Sequence, residues 1–172
     1  MHKLKLQYFG SPALKLVAAH TKLPDTSLAE ITHELIAAVR DNPKAAGMAA
    51  CQLGSPAPLL VIKWTTGEIE ACFNPSIITT RGTTAQLEGC LSTPGFTATV
   101  LRAKECLALW QDEDGAESQH WLTGKDGRTF QHCLGLLHGK PIAKLCSADD
   151  YQAGKSFINA AKRMAEDAIL KL

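Results

Sequence analysis

Helical and strand periodicities follow one another along this chain in an order that only a mixed domain satisfies. Ser27-Leu28-Ala29-Glu30 reads as a capping box. It opens a helix in which Leu28, Ile31, Leu35 and Val39 recur at helical spacing, and Asn42-Pro43 closes it. The apolar runs Leu59–Ile62 and Cys106–Trp110 read as strands, and Asp112-Glu113-Asp114-Gly115 as the hairpin turn after the second. Asp126 is placed as the N-cap of a helix carrying His132. Ser147-x-x-Asp150 starts a last helix running toward Leu172, polar enough to face the surface and weakened at Gly154. Helices segregated from mostly antiparallel strands predict an α+β fold. With 172 residues, 45% of them apolar, and neither repeat nor linker, residues 1-172 are expected to form a single domain with one substantial core.

Charge and cysteine usage narrow the function classes. Lys plus Arg number 18 against 17 Asp plus Glu, so no strong field recruits nucleic acid or an anionic membrane surface. No apolar run approaches the roughly 18 residues that span a bilayer. The start, Met1-His2-Lys3-Leu4-Lys5, lacks the apolar core of a signal peptide. The six cysteines are therefore expected to be reduced thiols in the cytoplasm. Cys51, Cys72, Cys106 and Cys146 are read as core thiols, and His2, His20, His33, His120 and His138 as surface residues.

Three short motifs remain. They are Ala45-Ala46-Gly47-Met48-Ala49-Ala50-Cys51-Gln52-Leu53-Gly54, then Glu88-Gly89-Cys90-Leu91-Ser92, then Gln131-His132-Cys133-Leu134-Gly135-Leu136. With Tyr8-Phe9-Gly10-Ser11-Pro12-Ala13-Leu14, Arg102, Arg128 and Gly139, they resemble the peptide deformylases over nearly the whole chain. Ala45 and Cys51 depart from the first motif, where the family has Gly and Pro. The resemblance implies mostly antiparallel strands around a central helix that carries His132, with a C-terminal helix. It implies that Cys90 and His132 occupy two of three metal-ligand positions and that Gln52 faces the formyl carbonyl. Gly47, Arg128, Thr129 and Leu136 fall at substrate-binding positions, and Thr97 stands near where bacterial relatives carry an Arg that contacts the peptide backbone.

The third motif departs from the family where its chemistry resides. The family's His-Glu-x-x-His places two imidazoles one helical turn apart, with the Glu addressing bound water. Here Cys133 replaces the Glu, Leu136 the second His and Gly135 an Asp. His138 cannot substitute, since six residues on from His132 it points roughly 120° around the helix. Cys90 and His132 alone leave two protein ligands, whereas catalytic zinc-type sites have about three plus an open position. The expectation is no cofactor or, if a metal binds, a divalent Fe, Ni or Zn ion at low affinity.

Three functions follow. The first is a pseudoenzyme with little or no removal of formyl groups from N-terminal methionine, its cleft holding a small molecule or an N-terminal peptide. The second is a metal-independent cysteine amidohydrolase, with Cys90 attacking and His132 shuttling the proton. A thiol beside a protonated His is a competent nucleophile; Gln52 and the Leu91 N–H would form the oxyanion hole, and Cys133 would be a rival nucleophile or a disulfide partner for Cys90. The third is a conventional deformylase with a ligand from elsewhere in the chain. Arg128 either forks onto a ligand carboxylate or phosphate or is structural, and Leu136 is expected to fill the former metal cavity.

Overall fold

The computed structural model describes residues 4–169. Five strands form one sheet: β1 (Gly47–Ala49), β2 (Leu59–Lys63), β3 (Ile69–Gly89), β4 (Thr97–Gln111) and β5 (Glu117–Thr123). They lie in sequence order, and every neighbouring pair is antiparallel. Four α-helices accompany them: α1 (Ala29–Asp41), α2 (Gly124–Leu137), α3 (Ala148–Ala153) and α4 (Lys155–Ile169). The architecture is α+β, as the alternation of periods predicts.

β2 explains how one short strand serves two cores. Leu60 and Ile62 pack with Phe130, Leu134 and Leu136 of α2, while Leu59 and Val61 face Ile31, Leu35 and Val39 of α1. A strand covered on both faces reads as an unbroken apolar run, which is why Leu59–Ile62 was legible. A third cluster joins Phe96, Ala98 and Val100 to Ile142 and Ile158 and fastens α4 to the β3–β4 hairpin.

Several expectations require correction. Ser27 caps nothing, because it lies inside a 3-10 turn, Thr26–Leu28, ahead of α1. Asp25 takes the capping role, accepting from the Ser27 N–H at 3.0 Å. Asp126 is not the N-cap of α2; Thr123 stands there, and Gly124 enters the helix at φ 54°. Asp126 instead accepts from the Thr65 N–H at 3.0 Å and the Thr65 hydroxyl at 2.7 Å. The last helix is two helices divided at Gly154, where a Cβ would lie 2.2 Å from the Phe96 ring. Gly154 is thus a close-packing position, and Ile158, Ala161 and Ala165 bury one face of α4. The end toward Leu172, like His2, lies outside the described residues.

Ser147 does cap α3 through the Asp150 N–H, and residues 112–115 do turn between β4 and β5. Cys51, Cys72 and Cys106 are buried, Cys146 is half-buried, and His20, His33, His120 and His138 are exposed. No helix among the described residues is long and apolar enough to cross a membrane.

Candidate functional site

A cleft of about 780 Å³ opens between the end of β3, residues 44–47 and the first half of α2. Two features bring the motifs together there. β3 ends at Gly89, so Cys90 and Leu91 begin the loop that returns the chain to β4. The amino-terminal segment then ties this loop to the first motif: Gln7 N–H donates to the Gln52 carbonyl and Phe9 N–H to the Ser92 carbonyl, each at 2.7 Å. Gly47 is required for the close approach of β1 to α2. A Cβ there would lie 2.9 Å from both Thr129 Cγ2 and the Val61 carbonyl oxygen, and 3.2 Å from Cys133 Sγ.

Glu88 is the electrostatic centre of the site. Its side chain is 6% exposed and accepts from Arg102 Nε at 3.0 Å, Arg102 Nη2 at 2.9 Å and Arg128 Nη1. His132 Nδ1 lies 3.0 Å from the same carboxylate. Burial alone would raise the Glu88 pKa, but the hydrogen bonds from His132 and Arg102 outweigh it and hold the group down at about 2. Burial likewise disfavours a charged His132, yet the hydrogen bonds to Cys90 and Glu88 push it up to about 9. At neutral pH the ring is therefore an imidazolium held between a carboxylate and a cysteine.

Gln52, 2% exposed, has its amide orientation fixed by two contacts. Oε1 accepts from the Ala49 N–H at 3.0 Å, and Nε2 donates to Ser92 Oγ at 3.1 Å while lying 3.9 Å from Cys90 Sγ. An amide donor, a thiol and an imidazole thus converge on one end of the cleft. Gln131, which precedes the histidine, bonds the Ala103 N–H and carbonyl and locks α2 to β4.

The structure gathers Gly47, Gln52, Cys90, Leu91, Thr97, Arg128, Thr129 and His132 around the cleft and leaves Cys133 and Leu136 out of it. Both of the latter are 0% exposed and sit in the α2–sheet core. Cys133 as a rival nucleophile is corrected accordingly, since burial pushes its thiol far above the ordinary range. It forms no disulfide with Cys90; all six cysteines are free. Leu136 is buried in the α2–sheet core and is not a cleft-lining residue. Arg128 is tied into the fold: besides Glu88, its guanidinium serves the carbonyls of Val100 at 3.2 Å and Thr84 at 3.0 Å.

Sequence reading missed Glu88 as the organiser, together with Lys44, Lys125 and Phe96 in the cleft wall. The available signal was Arg102 and Arg128 on elements that had to pack inward without an assigned acid. The residues present also do not meet the requirement of a three-ligand ion. Leu136 offers no lone pair and Cys133 is walled into the core, which leaves Cys90 and the second ring nitrogen of His132, whose Nδ1 is held by Glu88. Among the described residues no group of three His, Cys, Asp or Glu side chains is disposed to hold a metal.

An α+β fold with a helix-borne histidine facing a strand-end cysteine defines the class. Residues 3–151 match the family model described as polypeptide deformylase. A peptide deformylase of Carboxydothermus hydrogenoformans is 32% identical over 141 residues, covering 78% of this chain and 88% of that protein. One from Dictyoglomus thermophilum is 30% identical over 138 residues, covering 80% and 89%. Among solved structures, the Legionella pneumophila peptide deformylase superposes with a TM-score of 0.84 at 26% identity, covering 93% of this chain and 95% of that one. The Thermus thermophilus enzyme gives 0.84 at 24%, covering 93% and 98%. This chain belongs to the polypeptide deformylase family and has the peptide deformylase fold.

Proposed function

We propose that this chain uses the deformylase cleft to hold a small acylated amine or the acylated amino end of a peptide, without the family's metal-based removal of formyl groups from N-terminal methionine. The observation that carries the reading is Leu136, fully buried where the motif calls for a second histidine, beside a Cys133 that has replaced the acid/base and faces the core. A positioned general acid/base contributes about 10²–10⁴-fold, and a metal-bound water is the nucleophile itself. Gln52 Nε2 is fixed beside Cys90 and supplies the donor against which an acyl oxygen rests. Near-equal numbers of basic and acidic residues and six unpaired thiols support a cytoplasmic protein that binds neither nucleic acid nor membrane.

Metal analysis of freshly purified protein, paired with a formyl-methionyl peptide assay, tests this. Substoichiometric metal and background turnover are expected. Stoichiometric iron, nickel or zinc with turnover overturns the reading and favours a conventional deformylase.

The row Cys90–His132–Glu88 favours a second reading, a cysteine amidohydrolase, because a nucleophile, an imidazolium that donates a proton and a carboxylate orienting it stand together. Attacking as the thiolate paired with the His132 imidazolium, the Cys90 sulfur would bond to the acyl carbon, the C–N bond would break, and the imidazolium would hand its proton to the departing amine. Water would then hydrolyse the thioester. Acyl transfer to Cys90, read by intact mass after incubation with an N-formyl peptide, separates the two readings. A mass increase absent from Cys90→Ala selects the hydrolase.

A further inference from the structure

The cleft carries more positive charge than its own acid balances. Lys44, Lys125 and Arg128 line it, and Glu88 is the acidic residue in its lining. That carboxylate is already shared between Arg102 and Arg128. Lys44 and Lys125 are exposed and enter no ion pair among the described residues. Their placement is specific. Lys125 is one helical turn before Thr129, whose methyl lies against Gly47, and Lys44 is three residues before that glycine. Both lysines therefore flank one corner of the cleft, where β1 meets the start of α2. α2 begins in the same corner with no side-chain cap, and its first-turn acid, Asp126, accepts from the Thr65 N–H and hydroxyl.

We propose that this corner receives a carboxylate of the ligand, so that the cleft selects an N-acylated acidic residue over an N-acylated methionine. The inference rests on the reading that the acyl end lies at Gln52 and Cys90. From His132 back to Lys125 is two turns of helix, about 10 Å. An extended N-acyl glutamate, met by the reach of a lysine side chain, covers that length. Arg128 is held by Glu88 and two carbonyls, while Lys44 and Lys125 offer separate ammonium donors suited to single carboxylate oxygens. The same carboxylate could come from an acidic side chain or from the α-carboxyl of a free N-acyl amino acid.

Calorimetric titration of the wild-type protein as purified, with N-formyl-glutamate α-amide, N-formyl-glutamine α-amide, N-formyl-methionine amide and N-formyl-glycine, tests the proposal and distinguishes the two sources. The glutamate amide is expected to bind on the order of tenfold tighter than its neutral glutamine isostere, falling as salt rises. The preference should vanish in Lys44→Met with Lys125→Met, two exposed positions whose change leaves the melting temperature in place. Formyl-glycine binding as tightly as the glutamate amide assigns the corner to an α-carboxylate. Equal affinity for glutamate and glutamine amides, a methionine preference, or no binding of any probe overturns the inference. The metal and turnover assay stands apart from these outcomes, since stoichiometric metal with turnover refutes the underlying reading whichever side chain is preferred.

Discussion

Replacing Glu88 by Gln is the perturbation with the most calculable consequence. The carboxylate is 6% exposed and meets Arg102, Arg128 and His132. The substituted amide keeps an acceptor and nearly the same volume but removes the one negative charge, leaving two guanidinium groups buried without a counter-ion. Breaking a buried pair in this way costs about 3–5 kcal/mol. Linkage gives a figure of the same order from the same contacts. A carboxyl held at about 2 in the fold and 4.5 when unfolded is worth about 3 kcal/mol.

The sign follows from the direction: this stability is fully present above 4.5 and is lost as pH falls through about 2. His132 behaves oppositely. Its contribution is fully present below 6.5 and is lost as pH rises through about 9. Urea unfolding of the wild type from acid to alkaline pH should therefore show greatest stability from this pair between those unfolded values. The Glu88→Gln protein should lie lower by about 3 kcal/mol at neutral pH, on the order of 10 °C in Tm for a chain of this size, with a flatter acid limb. A loss under about 1 kcal/mol, well below the cost of breaking a buried pair, would refute the claim that Glu88 holds the site together.

Other expected outcomes follow from packing and access. Leu136→Ala should cost about 2–5 kcal/mol in urea unfolding, because the side chain is fully buried against the sheet; an unchanged midpoint would place it at an open surface. Gly47→Ala should cost about 1–3 kcal/mol by driving Cβ into the Val61 carbonyl and Thr129, readable as a drop in melting temperature. Iodoacetamide with peptide mapping should label the half-buried Cys90 and Cys146 in the native protein, with Cys51, Cys72, Cys106 and Cys133 reacting only after denaturation. Native labelling of Cys133 would show that α2 does not bury that face. Cys133→Glu with Leu136→His puts two polar side chains at fully buried positions and should lower the melting temperature without restoring metal binding by elemental analysis; stoichiometric metal in the folded double variant would show that this helix face reaches the cleft.

Local signals sufficed wherever a segment met its neighbours in a regular way. The apolar stripe Leu28, Ile31, Leu35 and Val39 has the helical period because one face of α1 is buried, and Leu59–Ile62 is continuous because β2 is covered on both sides. The motif residues Gln52, Cys90 and His132 were legible because their types and order carry the family's pattern. By contrast, β3 was hidden, since most of its stretch from Ile78 to Leu87 is open to solvent and shows no alternation. Ser27 and Asp126 have cap-forming side chains but stand in another backbone setting, so their residue types alone do not locate the caps. Only tertiary contacts decided that Gly154 makes room for Phe96, that Cys133 and Leu136 lie behind the cleft wall, and that Glu88 joins two arginines and His132 across β3, β4 and α2. Local pattern records which face of a segment is dry. It does not record which distant side chain shares that dryness, and the charge balance of the site depends on that pairing.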